Sequence, residues 1–266
     1  MQVPSSAAIL SCMSKTPPKA TQADTIAALL DRSKRTDVPI RKTFVQQGTG
    51  KIRDRGPVAT LCSHHDERGL DLYLLIHAAT SAEPFDVVLP APTWARAIGL
   101  SNTPSARSAV SKAITRLVDL DLVERGARAG NKSRIVLLDE GGHGDDYTHP
   151  AKSRDRYLKL PHAYWTDGWH LKLTLPGKVM LLIALSLDDG FPLPIERARD
   201  WYGISPDTAQ RGLAELETLD LLDVDVQYKP APLAPEGYTQ DRRFTLKAPF
   251  GPLRQPLATV TKLQTG

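Results

Sequence analysis

Arg107, Lys112 and Arg116 share one stretch of chain with Ser105, Ser108, Ser111 and Thr115, and no carboxylate interrupts them before Asp119 and Asp121. Between them Ala106, Ala109, Val110, Ala113, Ile114 and Leu117 recur at three- and four-residue steps, the period of a helix with one apolar side. The opposite side then carries only hydroxyls and cations, with Arg107 at its margin. Small hydroxyls allow close approach to the major groove of a duplex, while Arg and Lys reach guanine edges or phosphates.

A second basic group follows at once. Leu120 to Glu124 reads as a strand and Ser133 to Leu138 as its return, with Gly126 and Gly130-Asn131 supplying turn chemistry. Arg125, Arg128, Lys132 and Arg134 make this hairpin strongly basic. Exposed hairpins use lysine to block edge pairing, but four cations beside a cation-faced helix favour phosphate contact. Later in the chain Gln210, Arg211, Arg242 and Arg243 could also meet bases or phosphates. Asp207, Glu215, Glu217, Asp223 and Asp225 surround them and oppose it, so this region suits dimerisation or a protein partner as well as it suits DNA.

Other chemistries find little support. His143, Asp145, Asp146 and His149, and Cys62 with His64 and His65, lack the spacing that fixes a metal. No phosphate loop, Gly-x-Ser-x-Gly turn or Tyr beside a His cluster is present. Neither a cofactor nor catalysis is therefore expected.

The elements that would position these residues can be read in order. Residues 65–82 form a helix with Leu70, Tyr73, Leu74, His77 and Ala78 on one side, His77 packed rather than ligating. Phe85 to Leu89 is extended, and Trp94, Ala97 and Ile98 mark a second helix that Gly99 ends in a left-handed turn. Thr103 caps the next helix and Pro104 takes its first position. The order then returns. After an extended Arg156 to Pro161 and packing aromatics Tyr164, Trp165 and Trp169, an apolar helix begins near Pro176. Ile195 to Tyr202 follows, Gly203-Ile-Ser205 repeats Gly99-Leu-Ser101, and Leu216 to Leu222 repeats Leu117 to Val123. This is a duplicated architecture rather than a close repeat.

The boundaries expected are a flexible, largely disordered basic arm over residues 1–58, a first domain over 59–140 and a linker over 141–156. A second domain covers 157–250 and a tail 251–266. The arm has ten Lys/Arg against four Asp/Glu, more than the whole of the chain's net +4, and a basic arm on a near-neutral body serves phosphate contact or simply solubility. Within it, residues 21–35 could form a short amphipathic helix that needs something to dock on. Two cysteines and no export signal suggest the cytoplasm. No apolar run is long enough to span a bilayer, so no membrane partner is expected.

With both copies in view, the chain resembles the tandem winged helix-turn-helix DNA-binding proteins of bacteria, over roughly residues 61–250. These include transcription regulators and plasmid replication initiators. The resemblance rests on helix order, the Gly-(Leu/Ile)-Ser turns and the basic hairpin. It implies a mainly α fold with small β-hairpins (α+β), two winged helices in tandem, and recognition helices starting at Ser105 and Pro206. The implied function is sequence-specific binding of double-stranded DNA, as a transcriptional regulator. The alternatives are a replication initiator at origin repeats and a protein-interaction adaptor. A homodimer through the second domain is a further option, and the acidic face of the second copy departs from the pattern.

Overall fold

Thr21 opens the folded part of the chain with a reciprocal cap: its Oγ1 accepts from Asp24 N at 3.1 Å, and Asp24 accepts from Thr21 N at 2.8 Å. The computed structural model describes residues 19–48, 53–130 and 132–251, and only the backbone of Arg128 and Ala129. Helix α1 (Gln22–Asp31) leads into β1 (Asp37–Arg41), a 3-10 turn at Lys42–Phe44, β2 (Gln46–Gln47), β3 (Asp54–Arg55) and α2 (Pro57–Ser63). Ile26, Leu29, Leu30, Val38, Ile40, Phe44 and Val45 are all buried. The expectation of a largely disordered arm over 1–58 is thus corrected for residues 19–48 and 53–58. Ten helical residues are too few to persist alone, but their apolar side is covered by the body of the protein. Residues 1–18, and with them part of the expected arm, lie outside the described residues.

The body begins with α3 (Glu67–Ala79), β4 (Asp86–Pro90), α4 (Ala91–Ala97), α5 (Pro104–Asp119), β5 (Val123–Ala129) and β6 (Lys132–Leu137). The strands form an antiparallel sheet in the order β4-β6-β5. Leu70, Tyr73, Leu74, Trp94, Val110, Leu117 and Ile135 fill the space between helices and sheet, and α1 lies against α3 and α4. His77 is packed edge-on between the rings of Tyr73 and Tyr147. Burial, with Arg35 and Arg41 nearby, pushes its pKa down to about 3, so it sits in the core as a neutral ring.

The second series is α6 (Pro150–Ser153), β7 (Tyr157–Pro161), α7 (Ala163–Thr166), α8 (Trp169–Lys172) and α9 (Leu175–Leu185). It continues through β8 (Phe191–Pro192), α10 (Ala198–Tyr202), α11 (Pro206–Thr218), β9 (Leu222–Pro230) and β10 (Tyr238–Leu246). From α9 onward the order helix, strand, helix, helix, strand, strand repeats that from α3 onward. The sheet order β8-β10-β9 repeats β4-β6-β5. The two helix-to-helix turns match as well: Gly99 has φ +75° and Gly203 φ +67°, where any side chain would be strained. The fold is mixed α+β, with 44% of the described residues in helix and 23% in strand. Among the described residues no helix is long and apolar enough to cross a membrane.

Residues 141–156 connect the copies, but not as a free tether. Strand β1 pairs antiparallel with β7, Val38 opposite Leu160 and Ile40 opposite Leu158. Arg41, almost wholly buried, donates Nη1 to Glu140 Oε2 at 2.6 Å, Nε to Asp155 Oδ2 at 2.7 Å, and Nη2 to Thr148 O at 2.8 Å. A buried guanidinium is tolerated only when its donors are met this fully. The connection was legible as polar and glycine-rich; that one arginine from β1 would organise it was not.

Candidate nucleic-acid interface

Thr103 Oγ1 accepts from Ala106 N at 3.1 Å, and Pro104 occupies the first turn, so α5 starts where its sequence places the cap. Ala106, Val110, Ala113, Ile114 and Leu117 are buried on the inner side. Ser105, Arg107, Ser108, Ser111, Lys112 and Thr115 are exposed on the other. The structure therefore brings together most of the residues that the spacing selects.

Hairpin β5–β6 leans onto this outer side. Arg125 Nη2 donates to Ser111 O at 2.9 Å and to Thr115 Oγ1 at 2.8 Å, while Thr115 Oγ1 donates to Ser111 O at 3.0 Å. Thr115 and Arg125 thus hold each other, and the guanidinium is fixed beside the helix instead of free in solution. A cavity of about 210 Å³ opens between helix and hairpin, bordered by Ser111, Arg125, Gly130 and Ser133. Lys132 is exposed on the returning strand. Asn131 and the side chain of Arg128 lie outside the described residues.

Two cations selected from the sequence have other employment. Arg116 Nε and Nη2 donate to the two oxygens of Asp66, each at 2.5 Å. Asp66 is nearly buried and also caps α3 by accepting from Gly69 N at 3.0 Å. This bidentate hydrogen bonding raises the Arg116 pKa. Arg134 reaches across the sheet to pair with Asp86 on β4. Gly126, expected at the turn, sits instead in β5 opposite Arg134. A Cβ there would come within 2.8 Å of the arginine's Cδ, so the glycine makes room for that side chain. Arg116 and Arg134, both expected to contact DNA, are each tied to a carboxylate as a brace while their side chains stay partly exposed. Their partners Asp66 and Asp86 lie 50 and 48 residues away, and only the strand register and helix packing could have announced them.

The second copy offers a different surface. Ser205 Oγ accepts from Thr208 N at 3.1 Å, and α11 begins as α5 does. Gln210 and Arg211 are exposed, but Arg211 Nε lies 3.0 Å from Asp207 Oδ2, one turn back. Glu215, expected to oppose phosphate, is engaged at the head of α9, where it accepts from Thr174 N at 2.7 Å and from Thr174 Oγ1 at 2.5 Å. On the second hairpin Arg242 is exposed, whereas Arg243 donates to Gly190 O at 3.3 Å and lies 3.4 Å from Asp241. Arg211 and Arg243 thus each have a carboxylate close by in the chain. No protein-family model, curated protein or solved structure matches this chain.

Proposed function

We propose that this chain is a tandem winged helix-turn-helix protein that binds double-stranded DNA sequence-specifically, without catalytic activity, and acts as a transcriptional regulator. The carboxylate-free outer side of α5, with Ser105, Arg107, Ser108, Ser111 and Lys112 exposed together, carries this reading. The repeated element order and the strand orders β4-β6-β5 and β8-β10-β9 support the winged-helix part, because they put each hairpin beside the helix that precedes it. In this arrangement α5 enters the major groove, its hydroxyls allowing close approach. Lys112 and Arg107 reach base edges or phosphates, and Lys132 and Arg125 approach the flanking backbone. The α11 side, where Asp207 neutralises Arg211, is the weaker reader.

A replication initiator at origin repeats is the second reading. It is favoured by the direct tie between the two copies through Lys178, described below, which would present two helices at a set spacing. Selection of bound sequences from random duplex DNA tests both. A single enriched site supports regulation, and a run of direct repeats supports initiation. Replacing both Arg107 and Lys112 with Ala should weaken binding to the selected site at least tenfold and flatten the dependence of log affinity on log salt. The thermal midpoint should barely move, since both side chains are exposed and make no ion pair among the described residues. Undiminished affinity in this variant would remove α5 from the interface.

A further inference from the structure

The hairpin β9–β10 is the longest in the molecule's described part, each strand spanning nine residues, and its outer half stands away from the body. From Gln227 to Thr239 every residue but Ala231 and Ala234 is exposed. Tyr228 is 62% exposed, Tyr238 46% and Leu233 100%, and the two tyrosine rings meet edge-on at 5.3 Å. Two such exposed rings packed on each other suit an interaction surface.

The strand order leaves β9 on the outside of its sheet. Leu221 O accepts from Lys247 N at 2.9 Å, and Ala231 N donates to Gly237 O at 2.9 Å. Both lie in register with the ladder that pairs Leu222 with Leu246 and Pro230 with Tyr238. Odd-numbered residues of β9 therefore bond to β10, and Val224, Val226 and Tyr228 direct their N–H and C=O groups to the free edge. The same three side chains share one face of the sheet, continuing the apolar stripe from buried Leu222. Pro230, with no N–H, ends the usable edge.

We propose that this edge pairs antiparallel with β9 of a second copy of the chain, about a two-fold axis at Val226. The sequence is complementary to itself in that register. Val224 falls opposite Tyr228 of the second copy, Asp225 opposite Gln227, and Asp223 opposite Lys229, so no like charges meet. Shifting the axis to residue 225 would set Asp225 against Asp225, a destabilising cross-strand pair. Lys229 already lies 2.8 Å from Asp241 of its own hairpin, so the dimer adds a second carboxylate to a cation held in place. A nucleic-acid role suits this hairpin poorly. Residues 222–246 hold Asp223, Asp225, Glu236 and Asp241 against Lys229, Arg242 and Arg243, whereas residues 123–137 hold Glu124 against Arg125, Arg128, Lys132 and Arg134.

The inference is independent of the DNA reading, and its test contains no DNA. Sedimentation of the full chain at about 100 µM, a concentration chosen to populate a weak dimer, should give twice the monomer mass. Val226→Cys, in a Cys12→Ser background, should cross-link to a dimer with diamide. Hydrogen-bonded antiparallel partners place Cα atoms about 5.5 Å apart, within disulfide reach. Asp223→Cys should not cross-link, because six residue steps along two-fold-related strands separate the thiols by roughly 20 Å. Val226→Lys, which sets two ammonium groups together on the axis, should return the chain to monomer with its circular dichroism unchanged. A monomer at that concentration overturns the proposal. So does a dimer that Val226→Cys fails to lock, which would assign the dimer to another surface and leave this edge to a different protein.

Discussion

Lys112 and Arg116 are one helical turn apart on α5, and their environments give them opposite roles. Lys112 is exposed and has no ion-pair partner among the described residues, while Arg116 clasps Asp66 through two nitrogens. Composition cannot separate them, since both are cations on the same side of one helix. Removing Arg116 would leave Asp66 nearly buried with only the hydrogen bond from Gly69 N, so Arg116→Ala should cost about 1–2 kcal/mol, with the partial exposure of the arginine keeping the loss modest. The urea midpoint reads this directly. An unchanged midpoint would mean that the pair is ornamental and Arg116 is free for a ligand. Arg116→Lys should recover only part of the loss, because an ammonium cannot match both carboxylate oxygens in one plane.

Among the elements, α1 shows how a short amphipathic piece becomes structural. Its cap at Thr21 sets the start, but its stability comes from burying Ile26, Leu29 and Leu30 against α3 and α4. Each such side chain contributes about 1.5–3 kcal/mol. Deleting residues 1–33 should therefore lower stability by several kcal/mol, on the order of 5, which calorimetry would show as a large fall in Tm. If Tm holds and only DNA affinity falls, α1 is an arm after all. The two hairpins make the complementary point. They occupy equivalent places in their copies, yet β5–β6 is cationic and folds onto α5, whereas β9–β10 is longer, mixed in charge and carries an exposed tyrosine pair.

At the scale of the molecule, the copies are joined by charge as well as by the β1–β7 ladder. Lys178 of α9, 2% exposed, places Nζ 2.8 Å from Glu67 Oε1 and 2.8 Å from Asp71 Oδ1 of α3. Burying an ammonium costs several kcal/mol, which only close carboxylates offset. Lys178→Ala would leave two neighbouring acids without their cation and should destabilise the protein by about 3 kcal/mol. Lys178→Met combined with Asp71→Leu should recover much of that loss. A double-mutant cycle with no coupling energy between the two positions would show that the copies are not held together here.

How far the chain could be read from its residues follows the range of the forces involved. The cap and proline at Thr103–Pro104, the left-handed turns at Gly99 and Gly203, and the alternation of buried and exposed residues along α5 are local, set by backbone sterics and one helical period. They appear in the structure where the sequence places them. The exposed part of the candidate interface was legible for the same reason. Tertiary structure alone decided which cations are spent as braces. Arg41, Arg116, Arg134 and Lys178 all find carboxylates far along the chain, through strand registers and helix contacts that no local pattern encodes. It also decided that a polar, glycine-broken N-terminal stretch folds, because its few apolar side chains matter only once the surface that covers them exists.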